Sequence, residues 1–379
     1  MNKEEELKAI HAELQRAKSP EDIFGNLSGE DVAVRLKKVR EIYVEKTKFV
    51  FPDHFRYNDN VFKMAEEAFK MLNVFRKEAD LMIEREANGG SSEQDSSEEE
   101  VIVFKRQNRE YHMKLPKEAE GDISLIYSGI CVKGENASIP VKFKVVIDPA
   151  DDVLMQNEVR ILKFLNSQRS KQSKHFPVLI DQFRTTDHKP GLILESFDGY
   201  DLYSMREEYK NGIHQRHVAW IFDRTLSAIG YSHSTDWTHN KINPSHIMSR
   251  PRDDNVMIVD WSYATRDPFH TGESFKYYDE DYSAPEVKQG KRPTPSSDLY
   301  SIGKCMIYAL GGDIRTNTMP GSVDERFQRF IRFFVMESPI QRANDAWEMH
   351  AQLRDLRKKI WGSERFEELK MKKKIIQWR

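Results

Sequence analysis

The residues of this 379-residue chain best suited to chemistry gather in one stretch, 237–264, which reads WTHNKINPSHIMSRPRDDNVMIVDWSYA. A polar loop carries His239, Lys241 and His246, a short apolar run follows over 256–259, and Asp260 stands at its end. A carboxylate set there is a common way to hold a metal-bound phosphate. Lys241 is ill suited to accept a proton, because an unperturbed lysine, with a pKa of about 10.4, is already protonated at neutral pH. Two histidines and a lysine on one loop do not make a zinc site either, since lysine is rarely a ligand. Asp260 is the residue of this stretch that could hold magnesium, which prefers hard oxygen ligands to imidazole nitrogen.

Such a loop must be positioned by elements on either side. Short β-rich runs cover 101–104, 123–127, 141–147, 178–180 and 192–194. One amphipathic helix interrupts them over 151–165, with Leu154, Val159, Ile161, Leu162 and Leu165 apolar. After Asp201 the pattern turns mostly helical as far as Trp361.

A sheet with one helix, then a helical half, resembles the two-lobed protein-kinase fold, and the resemblance spans about 101–361. His239-Asn240-Lys241, Ile242-Asn243-Pro244-Ser245-His246 and Asp260-Trp261-Ser262 stand where that family has His-Arg-Asp, Leu-Lys-Pro-x-Asn and Asp-Phe-Gly. Val141-Lys142-Phe143-Lys144 resembles the third-strand Val-Ala-Ile-Lys. The resemblance implies ATP and Mg2+ as cofactors, with Lys144 and Glu158 paired beside the phosphates, Glu195 and Phe197 at the adenine hinge after Leu194, and Asp260 on the metal. It also implies structural roles for Glu286, Asp298 and Arg342. The catalytic aspartate is replaced by Lys241 and the second metal ligand by His246. The family's arginine is Asn240, which cannot anchor an activation-loop phosphate. Gly121–Gly129, with a glycine at each end, is the nearest match to the glycine-rich loop, and Asp122 puts negative charge in it. The family's loop lies beside a solvent-open cleft, so Lys241 is expected to stay charged.

Residues from about 5 to 86 resemble a J domain of DnaJ-type co-chaperones. The shared pieces are the Glu21-Asp22-Ile23-Phe24-Gly25 entry and a helix over 30–46 with a basic face of Arg35, Lys37, Lys38 and Arg40. A helix over 60–86 then carries Phe62, Ala65, Phe69, Leu72 and Phe75. Two such helices, antiparallel across a loop, make a hairpin. The family's His-Pro-Asp loop is here Phe51, Pro52, Asp53, and a phenyl ring lacks the imidazole's hydrogen bonds.

The domains are therefore expected at 1–86 (J-like), 87–100 (flexible acidic linker), 101–364 (kinase-like, lobes dividing near 196/197) and 365–379 (basic tail). The fold class is an all-α J-like hairpin followed by an α+β two-lobed kinase-like fold. The favoured function is a pseudokinase with a docking module, a scaffold or chaperone adaptor of the kind found in bacterial or phage fusions. An active atypical Ser/Thr kinase and a co-chaperone of a DnaK-type ATPase acting through 1–86 are the alternatives. A formal net charge of −2 argues against bulk nucleic-acid binding, and no apolar run is long enough for a membrane span. Two distant cysteines and no secretory signal fit a cytoplasmic protein with protein partners.

Overall fold

The structure, a computed structural model, describes residues 3–29, 31–50, 59–87, 100–133, 137–168, 170–253, 255–267, 271–272, 277–362 and 368–371. The chain divides into two compact units, Met1–Ser97 and Glu98–Arg379.

The first unit is helical, with α1 (Lys3–Arg16), α2 (Glu21–Phe24), α3 (Val32–Val50) and α4 (Asp59–Ala87). Leu7, Ile10 and Leu14 of α1, and Val61, Ala65, Ala68, Leu72, Ala79 and Ile83 of α4, recur at helical spacing and are buried. With Ile23, Phe24, Val39 and Val50 they close one core. Helix α1 goes beyond the sequence expectation, because its three buried residues are diluted among charged ones. Helix α2 stops where Gly25 takes a φ of 75°. Its start is held by Asp22, whose carboxylate accepts from the backbone N–H groups of Lys18 and Ser19 at 2.7 and 3.0 Å. The expected basic face of α3 is corrected at Arg35, which is buried and donates to the Leu27 carbonyl at 2.6 Å. Phe51, Pro52 and Asp53 lie outside the described residues, as do 88–99 of the linker and 372–379 of the tail.

The second unit opens with β1 (Val101–Arg106), β2 (Arg109–Lys114), β3 (Ala119–Glu120), β4 (Ser124–Lys133) and β5 (Ala137–Val146), then α5 (Asp152–Ser167), β6 (Leu179–Arg184) and β7 (Pro190–Glu195). The sheet runs β1-β2-β4-β5-β7-β6, with β3 added to β4. Side chains alternate along β5: Val141 and Phe143 join Tyr111, Cys131 and Ile193 in a core on one face, which turns Lys142 and Lys144 to the other. Strand β2, REYHMK, escaped the sequence reading because it is too polar to look like a strand.

The glycine-rich loop is corrected here. Gly129 sits inside β4, opposite Met113 and Val141, where an added Cβ would fall 2.0 Å from the His112 carbonyl oxygen. It is a strand glycine kept by crowding. The connection between β2 and β4 is instead 115–123, folded partly as β3 and carrying Glu118, Glu120 and Asp122.

The helical half comprises β8 (Tyr200–Asp201), α6 (Leu202–Glu208), α7 (Gln215–Ser234), β9 (Trp237–Thr238), β10 (Ile247–Arg250), β11 (Asn255–Ile258), β12 (Thr265–Arg266), α8 (Pro285–Lys288), α9 (Pro295–Ala309), α10 (Glu325–Phe334) and α11 (Ala346–Trp361). Leu226 and Ile229 of α7 pack with Leu299, Ile302 and Met306 of α9 in the largest core. Strand β9 pairs with β12, and β10 with β11. These two pairings bring the loop after β9 alongside the segment after β11. Among the described residues, no helix is long and apolar enough to cross a membrane.

Candidate functional site

Lys144 enters the site from β5 and Glu158 from α5, where Met155 and Leu162 place Glu158 on the helix's buried face. The Lys144 ammonium donates to Glu158 Oε2 at 2.6 Å and to Asp260 Oδ1 at 2.6 Å. Asp260 follows β11 in the left-handed region, with φ of 62°. Its Oδ1 also accepts from Ser262 Oγ at 2.8 Å, and its Oδ2 accepts from Lys241 at 2.8 Å. Burial alone would raise the Asp260 carboxyl, but the ammoniums of Lys144 and Lys241 reverse that and hold it well below the usual carboxylate range.

Lys241 was expected beside open solvent. Its side chain is only 3% exposed, and its ammonium bridges Asp260 to Asp122 Oδ1, 2.6 Å away. The rings of Tyr263 and Tyr277 lie 4.8 and 4.9 Å from the same nitrogen. Two carboxylates and two aromatic faces thus surround this nitrogen.

The two histidines support the loop through its backbone. His239 Nε2 donates to the Val259 carbonyl at 3.1 Å, and its Nδ1 accepts the Lys241 backbone N–H at 3.2 Å. His246 Nδ1 donates to the Lys241 carbonyl at 2.6 Å, leaving Nε2 at 3.4 Å from Asp260. Burial lowers the pKa of both, that of His239 to about 4.

Residues further along the chain brace this loop. Asp298 accepts the backbone N–H groups of His239 and Asn240, each at 2.8 Å, and His233 Nε2 at 2.9 Å. Asn240 donates to the Tyr263 carbonyl at 2.9 Å. Asn157 donates to the carbonyls of Ser262 and Ala264 at 2.9 and 2.7 Å. Glu286 and Arg342 form a buried bidentate pair at 2.8 and 3.0 Å. Glu195 is exposed at the end of β7. Phe197 is buried under the Arg250 guanidinium.

Tyr263, Tyr277 and Asn157 were missed as site residues by sequence reasoning. Only Asn157 left a local signal, one position before Glu158.

With that geometry in view, the relatives become informative. The family described as protein kinase domain matches residues 120–370. The chain belongs to the protein kinase domain family. Serine/threonine-protein kinase F of Synechocystis sp. is 25% identical over 168 residues, 42% of this chain and 34% of that protein. Casein kinase II subunit alpha' of Saccharomyces cerevisiae is 25% identical over 200 residues, 52% of this chain and 54% of that protein. The SNF-related serine/threonine-protein kinase of Homo sapiens is 23% identical over 230 residues, 56% and 29% of the two chains. The chain thus spans less than two thirds of the length of each.

The family's metal does not fit the kinase domain's cleft as built. Both Asp260 oxygens already accept from ammonium groups of the chain. A divalent cation there would face Lys144 and Lys241 at contact distance. Among the described residues, no group of three His, Cys, Asp or Glu side chains is placed to hold a metal ion.

Acid should loosen the kinase domain. His175 Nδ1 donates to the Val256 carbonyl at 2.7 Å, and burial lowers its pKa from 6.5 to about 4, as for His239. Between those values the unfolded chain takes up a proton that the folded chain refuses. The stabilisation is therefore complete above pH 6.5 and is lost as the pH falls toward 4. Each histidine contributes at most about 1.4 kcal/mol per pH unit. Urea unfolding midpoints should fall steadily from pH 7 to pH 5, and midpoints that stay level across that window would contradict this.

Proposed function

We propose that the kinase domain is a nucleotide-binding scaffold in which phosphoryl transfer is suppressed, and that the N-terminal helical unit docks a protein partner. The observation that carries this reading is the Lys241 ammonium, fixed between Asp260 and Asp122 at the position of the family's proton acceptor. Loss of a general base typically slows a reaction by about a hundred- to ten-thousand-fold. Lys144 and Lys241 are the groups that would donate to phosphate, and ATP supplies the phosphoryl group in this family. The co-chaperone reading rests on sequence resemblance alone.

Kinship favours a second reading, an active Ser/Thr protein kinase, since the Synechocystis and human relatives are named serine/threonine-protein kinases and the Lys144–Glu158–Asp260 constellation is intact. The test is incubation of the full chain with γ-labelled ATP, magnesium or manganese, and generic protein acceptors. A suppressed site leaves incorporation at the level of the enzyme-free control. Incorporation that scales with enzyme and disappears in Asp260→Asn would place the chain among active kinases.

A further inference from the structure

Lys241 performs the electrostatic task that a divalent cation performs in a phosphate cleft. It neutralises a fixed carboxylate, Asp260, on one side and holds a second anion, Asp122, on the other, at 2.8 and 2.6 Å. The walls around it suit a cation already in place, since Tyr263 and Tyr277 present ring faces within 5 Å, at 4.8 and 4.9 Å.

The two anions are not equivalent. Asp260 is 14% exposed and also accepts from Lys144 and Ser262, whereas Asp122 is 42% exposed on the turn before β4. The Tyr263 hydroxyl reaches Asp122 only at 3.4 Å. Asp122 is therefore the partner that an incoming anion can displace. With it in place, Glu158, Asp260 and Asp122 outnumber Lys144 and Lys241 by one charge. With it swung out, these groups balance and Lys241 has free hydrogens for a phosphate oxygen. A divalent cation would instead have to expel a buried ammonium from Asp260.

We propose that Lys241 is a built-in substitute for the divalent cation, so that this cleft takes a nucleoside triphosphate without metal, its phosphate displacing the Asp122 carboxylate. This rests on the nucleotide-binding reading above and specifies its chemistry.

The experiment is calorimetric titration of the full chain with ATP, once in EDTA and once in excess magnesium. The expected wild-type Kd in EDTA is equal to or tighter than that in magnesium. Asp122→Asn, on an exposed turn, should tighten metal-free binding by about tenfold, because a competing charge is gone. Lys241→Met should weaken it by about tenfold or more and make binding depend on magnesium. ATP binding that requires magnesium in the wild type, or metal-free binding indifferent to both substitutions, would overturn the inference while leaving nucleotide binding intact. ATP binding in neither buffer would remove both.

Discussion

Asp260→Asn should lower the unfolding free energy of the kinase domain by about 3–5 kcal/mol in the absence of any ligand. The Asp260 carboxylate accepts from Lys144 at 2.6 Å, Lys241 at 2.8 Å and Ser262 at 2.8 Å. An amide carries no charge to balance two buried ammoniums, and its NH2 group must turn toward one of them. Asp122→Asn removes a carboxylate from the same cluster, yet should cost about 1 kcal/mol or less, because Asp122 is 42% exposed and water screens the pair. Burial, rather than the number of ion pairs, decides between the two. Urea unfolding of both variants checks it, and an Asp260→Asn variant within about 1 kcal/mol of wild type would show that the cluster does not support the fold.

Arg342→Ala should cost a similar amount, about 3–5 kcal/mol, at a site remote from nucleotide chemistry. The Arg342 side chain is fully buried and grips Glu286 with both terminal nitrogens, at 2.8 and 3.0 Å. It also donates to the carbonyls of Met336 and Glu337, at 2.8 and 2.9 Å, and lies over the Tyr300 ring. Truncation strands the Glu286 carboxylate with Ser297 at 2.9 Å and leaves those carbonyls without their donor. Arg342→Lys should recover little, since a single ammonium cannot reproduce the fork. Thermal unfolding of both variants, with secondary structure checked before heating, is the measurement. An Arg342→Lys variant as stable as wild type would mean that the bidentate geometry contributes nothing.

The legible parts of this site are those set by local periodicity. Lys144 sits in a period-two strand and Glu158 on a period-3.6 helix, so their faces follow from neighbouring apolar residues. Asp260 follows a short apolar strand and is conspicuous for that reason. Lys241 was recognisable as the wrong residue for proton transfer, but not as a buried one. Its burial comes from Asp122, Tyr263 and Tyr277, which reach it from before and after in the chain, and no local pattern announces such convergence. Gly129 misled for a related reason. A glycine that avoids a neighbouring strand's carbonyl looks, in sequence, the same as one that frees a loop. Arg35 reads as part of a basic helix face until the Leu27 carbonyl is seen beneath it. Strand β2 and helix α1 were hidden by their polar composition.

The most direct measurement is a double-mutant cycle on Lys241→Met and Asp260→Asn, read by urea unfolding of the metal-free protein. If Asp260 is already claimed by the chain's own ammonium, the double variant should be more stable than the sum of single effects allows, by about 1.5 kcal/mol or more. Additivity within about 0.5 kcal/mol would mean that Lys241 and Asp260 do not hold one another, leaving Asp260 free for metal and for catalysis.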